Sequence, residues 1–211
     1  MWVSELWRYP VKSMAGELLP AADLTSNGIV GDRGVHVRDG RGRTATARTH
    51  PGLLQFHATL DPRGQVLVDG LPWNDPQVME AVRSVVGQGA RLVEDESLDR
   101  FDILPLLVAT DGAIAAFGRD RRRLRPNIVI GGVEGLAERE WQGGRLDVGE
   151  VEIAIEDLRG RCVMTTFDPD TQAQDPGVLR RIVEKFDGVL GLNCGVLEGG
   201  VVAEGDPVDL A

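Results

Sequence analysis

Cysteine and histidine are scarce in this chain. Only Cys162 and Cys194 occur in 211 residues, so at most one disulfide can form, and an iron–sulfur cluster, which takes about four protein ligands, is excluded. In a reducing cytosol both are expected as free thiols. His36, His50 and His57 do not fall at zinc spacing with either cysteine, and are expected to be ordinary surface or core residues. No stretch approaches the roughly eighteen apolar residues of a membrane span, and the first residues lack a basic-then-apolar signal pattern. No membrane association is therefore expected, and a cytoplasmic location is. Net positive charge is missing as well. A formal net charge of −10 argues against nucleic-acid or anionic-membrane partners, which require clustered cations. No G-x-G-x-x-G run leads into a helix, so a dinucleotide-binding fold has no support.

What is present suffices for a core. At 42% hydrophobic, the chain can fold as one domain, or as one with a small appendage. Trp2 to Tyr9 alternates as a strand, and Val35 to Arg48 reads as a hairpin around Gly40 to Gly42. Leu53 to Leu60 and Gln65 to Val68 read as two strands joined by Asp61-Pro62-Arg63-Gly64. Helical spacing predicts helices over Pro76 to Val86 and Pro176 to Phe186, and a third over Asp111 to Gly118 with Asp111 as its cap. Further strands are expected at Arg91 to Glu94, Leu104 to Ala109, Arg125 to Gly132, Leu146 to Ile155 and Arg161 to Thr166, and in the Gly-punctuated C-terminal stretch. The acidic run Glu94 to Glu96 reads as surface. Many short strands, few helices and frequent Gly turns predict a mostly β fold, a β-barrel with a few short helices. A soft boundary near Gly70 to Asp75 divides an N-terminal β region, 1–72, from a barrel domain, 73–211, packed as one unit.

The chemistry concentrates at Arg159 to Thr171, R-G-R-C-V-M-T-T-F-D-P-D-T. Arg159 and Arg161 flank Cys162 closely enough to lower a thiol pKa, which makes Cys162 a candidate thiolate. The competing reading is a small buried hydrophobe on a strand near its end. Asp168 to Thr171 has turn chemistry, and Asp168 and Asp170 are candidate proton donors or simply turn formers. Arg119 to Arg125 carries five arginines and reads either as a solvated face or as an anion pocket. Lys12 and Ser13 put an ammonium and a hydroxyl at a strand end, and Asp32 and Arg33 flank the hairpin entrance.

Six elements taken in order carry a resemblance. They are Y-P-V-K-S at Tyr9 to Ser13, G-D-R-G at Gly31 to Gly34, A-T-A-R at Ala45 to Arg48, R-P-N-I-V-I at Arg125 to Ile130, R-C-V-M-T-T-F-D-P-D-T at Arg161 to Thr171 and G-D-P-V at Gly205 to Val208. The chain resembles the MOSC family, in the branch of the mitochondrial amidoxime-reducing component and its bacterial relatives. The resemblance implies a MOSC-type β-barrel with an N-terminal β extension that binds a pyranopterin molybdenum cofactor, Mo-molybdopterin. It implies that Cys162 is a metal ligand, and that Lys12, Ser13, Arg33, Arg125, Asn127 and Arg161 hold the cofactor. The implied activity is reduction of N-hydroxylated small molecules such as amidoximes, hydroxylamines or N-hydroxylated bases, with Asp168 or Asp170 delivering protons. No fused ferredoxin-like domain is recognisable, so electrons are expected from a separate donor protein. The alternative is a carrier module for the cofactor or for sulfane sulfur. One departure stands out: where the family has small hydroxyl residues, this chain has Asp111-Gly112-Ala113, and a carboxylate beside a phosphate would repel it. A copy that has lost cofactor binding is the third reading. Cys194 reads as core.

Overall fold

A computed structural model describes residues 1–95, 97 and 100–211; Glu96 of the acidic run lies outside them. The fold is mostly β, with three α-helices. Its main sheet has eight strands in the order Asp209–Leu210, Arg145–Val148, Val151–Gly160, Val189–Glu198, Leu106–Thr110, Ile128–Gly131, Trp2–Arg8, Glu17–Leu19. All neighbours pair antiparallel except Leu106–Thr110 with Ile128–Gly131, where Val108 faces Ile128. Three three-stranded sheets complete the β structure.

The expected closed barrel is not formed among the described residues. The first strand reaches the chain's C-terminal segment only through short contacts, Val3 N–H to Asp206 O at 2.9 Å and Gly205 N–H to Val3 O at 2.8 Å, with an isolated bridge from Trp2 to Pro207. The curl therefore ends in a seam rather than in a continuous ladder.

The two largest apolar clusters among the described residues belong to different parts of the fold. The larger, with Val3, Leu6, Leu106, Ile128, Ile153 and Leu192, fills one face of the main sheet. A second, built from Val11, Met14, Val37, Leu53, Val78, Val82 and Leu92, lies under the N-terminal hairpins and the first helix. Pro76–Val86 and Pro176–Phe186 form as their periodicity predicts, because each opens on an Asp-Pro pair. Asp75 and Asp175 accept from the N–H groups of Gln77 and Gly177, and the prolines need no donor in the first turn.

Three local expectations fail, each for a backbone reason. Pro51–Gln55 is a 3-10 helix, not the start of a strand; Pro51 fixes the first turn while Leu53 and Leu54 reach inward. The helix Asp111–Phe117 is capped by Thr110, whose hydroxyl accepts from Ala113 N–H, rather than by Asp111. The strand Val151–Gly160 ends before the cysteine, and Val163–Thr166 is a 3-10 turn. Thr165 and Thr166 hydroxyls donate back to the carbonyls of Cys162 and Val163 at 2.9 and 2.7 Å, satisfying groups that a strand would have paired with a neighbour.

Candidate functional site

Strand ends from both cores converge on a cavity of about 310 Å³. The turn after Trp2–Arg8 brings Lys12 and Ser13. The segment before the hairpin brings Arg33, and the segment after it brings Thr46 and Arg48. The approach to Ile128–Gly131 brings Arg123, Arg125 and Asn127, and the end of Val151–Gly160 brings Arg159, Arg161 and Cys162. Among the described residues, seven basic side chains and a single carboxylate, Asp102, line the wall. In a chain of net charge −10, such a cluster fits an anionic ligand.

Cys162 sits where the strand gives way to the 3-10 turn, partly exposed to the cavity. Ala47, Leu54 and Phe167, with Val163 and Met164 against them, pack this turn onto the N-terminal half. Arg48 lines the cavity with Cys162, and its guanidinium donates to Asp102 Oδ2 at 2.5 Å. Burial opposes the Arg48 charge, but the attraction of nearby Cys162 and Asp102 outweighs it and raises its pKa. Cys194 is fully buried, and burial pushes its thiol pKa up, as befits a core residue.

The cations differ in how they are held. Arg33 pairs with buried Asp32, which also accepts from Tyr9 N–H at 2.7 Å and from Asn127 Nδ2 at 3.2 Å. The Arg33 and Arg125 guanidiniums lie 5.1 and 4.1 Å from the centre of the Tyr9 ring. Burial raises the Tyr9 pKa to about 12, so the ring stays a neutral platform. Arg125 and Arg161 are enclosed by protein while facing the cavity, and burial lowers each pKa to about 10. Arg125 Nη2 and Arg161 Nε have no hydrogen-bond partner among the described residues, although Arg161 Nη2 donates to Leu124 O at 2.6 Å. Enclosed donor nitrogens on two partly buried guanidiniums are costly without an acceptor, and an anion in the cavity would supply one.

Every residue that the resemblance assigns to cofactor binding lines this cavity, together with Cys162. Asn127 lines it without donors to spare. Its side chain is spent on Trp7 O, Asp32, Leu107 N–H and Arg33, so it positions Arg33 rather than reaching a ligand. Asp168 and Asp170 do not line it. Asp168 accepts from Arg123 at 2.9 Å and from the N–H and hydroxyl of Thr171, and Asp170 pairs with Arg122. Hydrogen bonds from Thr171 hold the Asp168 pKa below its usual value, and the Arg122 bond does the same for Asp170. The arginine run thus divides: Arg121 pairs with Glu5 and Arg122 with Asp120 and Asp170, while Arg123 and Arg125 turn inward.

Asp111 is no obstacle to an anion. Its carboxylate accepts from the N–H groups of Gly112, Gly132 and Val133 at 2.7 to 3.0 Å and does not reach the cavity wall. Sequence reasoning missed Arg48, Asp102 and Arg123 as wall residues. Arg48 belongs to a recognised motif and Arg123 to the arginine run, whereas nothing in the sequence marks Asp102.

Comparison with known proteins places this geometry. The MOSC N-terminal beta barrel domain model matches residues 1–97 and the MOSC domain model matches residues 112–209. The chain is similar to mitochondrial amidoxime-reducing component 1 of Homo sapiens, 27% identical over 80% of this chain and 67% of that protein. It is also similar to mitochondrial amidoxime reducing component 2 of Bos taurus, 25% identical over 82% of this chain and 68% of that protein. Among solved structures, the YuaD protein of Bacillus subtilis superposes with a TM-score of 0.54 at 15% identity, covering 100% of this chain and 98% of that one. That likeness concerns the fold alone.

Proposed function

The chain belongs to the MOSC family, and from that premise we propose that it is an oxidoreductase that binds a molybdenum cofactor and reduces N-hydroxylated small molecules with electrons from a separate donor protein. The observation that carries this reading is a lone thiol on the wall of a cavity with seven cations, two of them with unpartnered donors. No group of three or more His, Cys, Asp or Glu side chains among the described residues is arranged to hold a metal ion. A metal at Cys162 therefore brings its other ligands with it, as a pyranopterin does through its dithiolene sulfurs, and a soft thiolate suits that coordination sphere. The residues fit the group.

In this reading Cys162 ligates the metal, and Lys12, Ser13, Arg33, Arg125 and Arg161 take the phosphate and pterin. Asn127 and Asp32 hold Arg33, and Asp168 holds Arg123. Asp168 and Asp170, kept ionised by their partners, serve as positioning groups rather than as proton donors. When bound, the cofactor supplies the two-electron reduction of the N–O bond. The protein excludes water, orients the substrate and keeps the thiolate in place.

Metal analysis tests this. Wild type and Cys162→Ser are purified from a host that makes the cofactor, and molybdenum is measured per chain. Near-stoichiometric metal in wild type and a small fraction of it in the variant are expected, together with loss of hydroxylamine reduction from an artificial electron donor. Equal metal in both proteins would overturn the role of Cys162. Metal without multiple turnover would favour a carrier module, for which the same lone thiol is suited.

A further inference from the structure

Asp102 stands among the cavity's cations, with its side chain 29% exposed. Its Oδ1 accepts from Lys12 Nζ at 2.9 Å, its Oδ2 accepts from Arg48 at 2.5 Å, and Arg159 Nη2 lies 3.9 Å away. These cations come from three separate parts of the chain, the turn after Trp2–Arg8, the segment after Thr44–Ala45 and the end of Val151–Gly160. Such convergence on one oxyanion is the arrangement expected around a ligand phosphate. The segment carrying Asp102 is anchored beside it: Lys12 also donates to Arg100 O at 2.8 Å, and Phe101 is buried, with the Arg33 guanidinium 5.9 Å from its ring centre. Burial is the largest single influence on Asp102 and raises its pKa, but the Lys12, Arg48 and Arg159 charges together outweigh it and lower the pKa, so the carboxylate is ionised at neutral pH.

Resting on the anion-site reading above, we propose that Asp102 is a specificity-determining residue that competes with incoming anions for Lys12, Arg48 and Arg159. Attraction to a fixed cation scales with the charge of the anion. A monoanion that replaces Asp102 gains little, because it makes the contacts the carboxylate already makes. A group of charge −2 or more, such as a phosphate monoester, gains on all three cations and displaces it. Asp102 thereby sets a threshold that admits multiply charged phosphates and rejects chloride, nitrate and carboxylate metabolites. The unpartnered nitrogens of Arg125 and Arg161, which Asp102 does not engage, are left for the remainder of the ligand.

Calorimetric titration of the full-length chain with pyrophosphate and with nitrate tests the proposal, in wild type and in Asp102→Asn, with thermal melts to confirm folding. Pyrophosphate is expected to bind Asp102→Asn about tenfold more tightly than wild type, and nitrate to become measurable only in the variant. Equal or weaker pyrophosphate binding in the variant would overturn the proposal and make Asp102 a residue that merely orients Lys12 and Arg48; no binding to either protein would overturn it too. Should the variant not fold, hydrogen exchange in wild type decides the matter. Saturating pyrophosphate is expected to speed exchange across residues 100–104 as Asp102 is expelled, and protection there would refute the displacement. The two readings fail separately. Retained molybdenum without tighter pyrophosphate binding removes the competitor alone, and tighter binding without molybdenum removes the cofactor reading alone.

Discussion

Three residues of the cavity wall hold a backbone conformation that L-amino acids avoid. Ser13, Arg33 and Arg125 have φ of 72°, 54° and 57°, half of the six non-glycine residues with positive φ among those described. Each costs on the order of 1–3 kcal/mol, a cost that glycine would remove along with the hydroxyl or guanidinium. The turns pin them: Arg33 N–H donates to Tyr9 O at 2.8 Å while its guanidinium is tied to Asp32 and Asn127. Arg125 has a further burden, a buried charge with an unpartnered nitrogen. Replacing it by Met keeps the stem and removes the charge, so Arg125→Met should melt at the same temperature as wild type or higher. The same variant should bind pyrophosphate about tenfold more weakly, which corresponds to about 1.4 kcal/mol for one charge-assisted hydrogen bond. Paired thermal melts and titrations check both outcomes; weaker folding with unchanged affinity would refute this account of the Arg125 charge.

At the scale of elements, the two long helices were legible from their apolar spacing, while the structure shows the Asp75 and Asp175 caps that start them and Gly87 and Asp187 where they stop. The 3-10 turn at Val163–Thr166 was not. A Thr pair after an alternating strand looks like more strand, and only the hydroxyl bonds back to Cys162 and Val163 show why the chain turns. The helix Asp111–Phe117 shows a second limit. Sequence comparison makes Gly112 look like a lost hydroxyl, yet a Cβ there would lie 2.4 Å from the carbonyl oxygens of both Val133 and Gly135. The close approach of that loop, fixed by Asp111 on the Gly132 and Val133 amides, requires glycine. Gly112→Ala should therefore destabilise by about 1–3 kcal/mol, lowering the melting temperature by roughly 2–4 °C per kcal/mol for a chain of this size. An unchanged melt would show that the loop yields freely.

For the whole molecule, the cavity lies at the junction of the two cores. Lys12, Ser13 and Arg48 flank residues of the N-terminal core, and Cys162 and Arg125 close the side of the main sheet. A ligand bound there holds both halves and acts only on the folded state. Pyrophosphate at about one hundred times its dissociation constant should add roughly 2.7 kcal/mol, a rise in melting temperature of about 5–10 °C. Scanning calorimetry at increasing pyrophosphate measures it. A rise confined to one of two resolved transitions would show that the halves unfold separately.

The sequence by itself determined the residue types that chemistry requires, the strand-rich pattern, the long helices and the order of six motifs, because those depend on local periodicity and side-chain chemistry. Only the tertiary structure decided that seven cations from distant segments share one wall, that Asn127 is spent on positioning, that Asp168 and Asp170 lie off that wall and pair with Arg123 and Arg122, and that Asp102 lines it. Which charges neutralise one another is a matter of distance in space. That distance is set by the packing of strand ends separated by tens of residues, which no local pattern records.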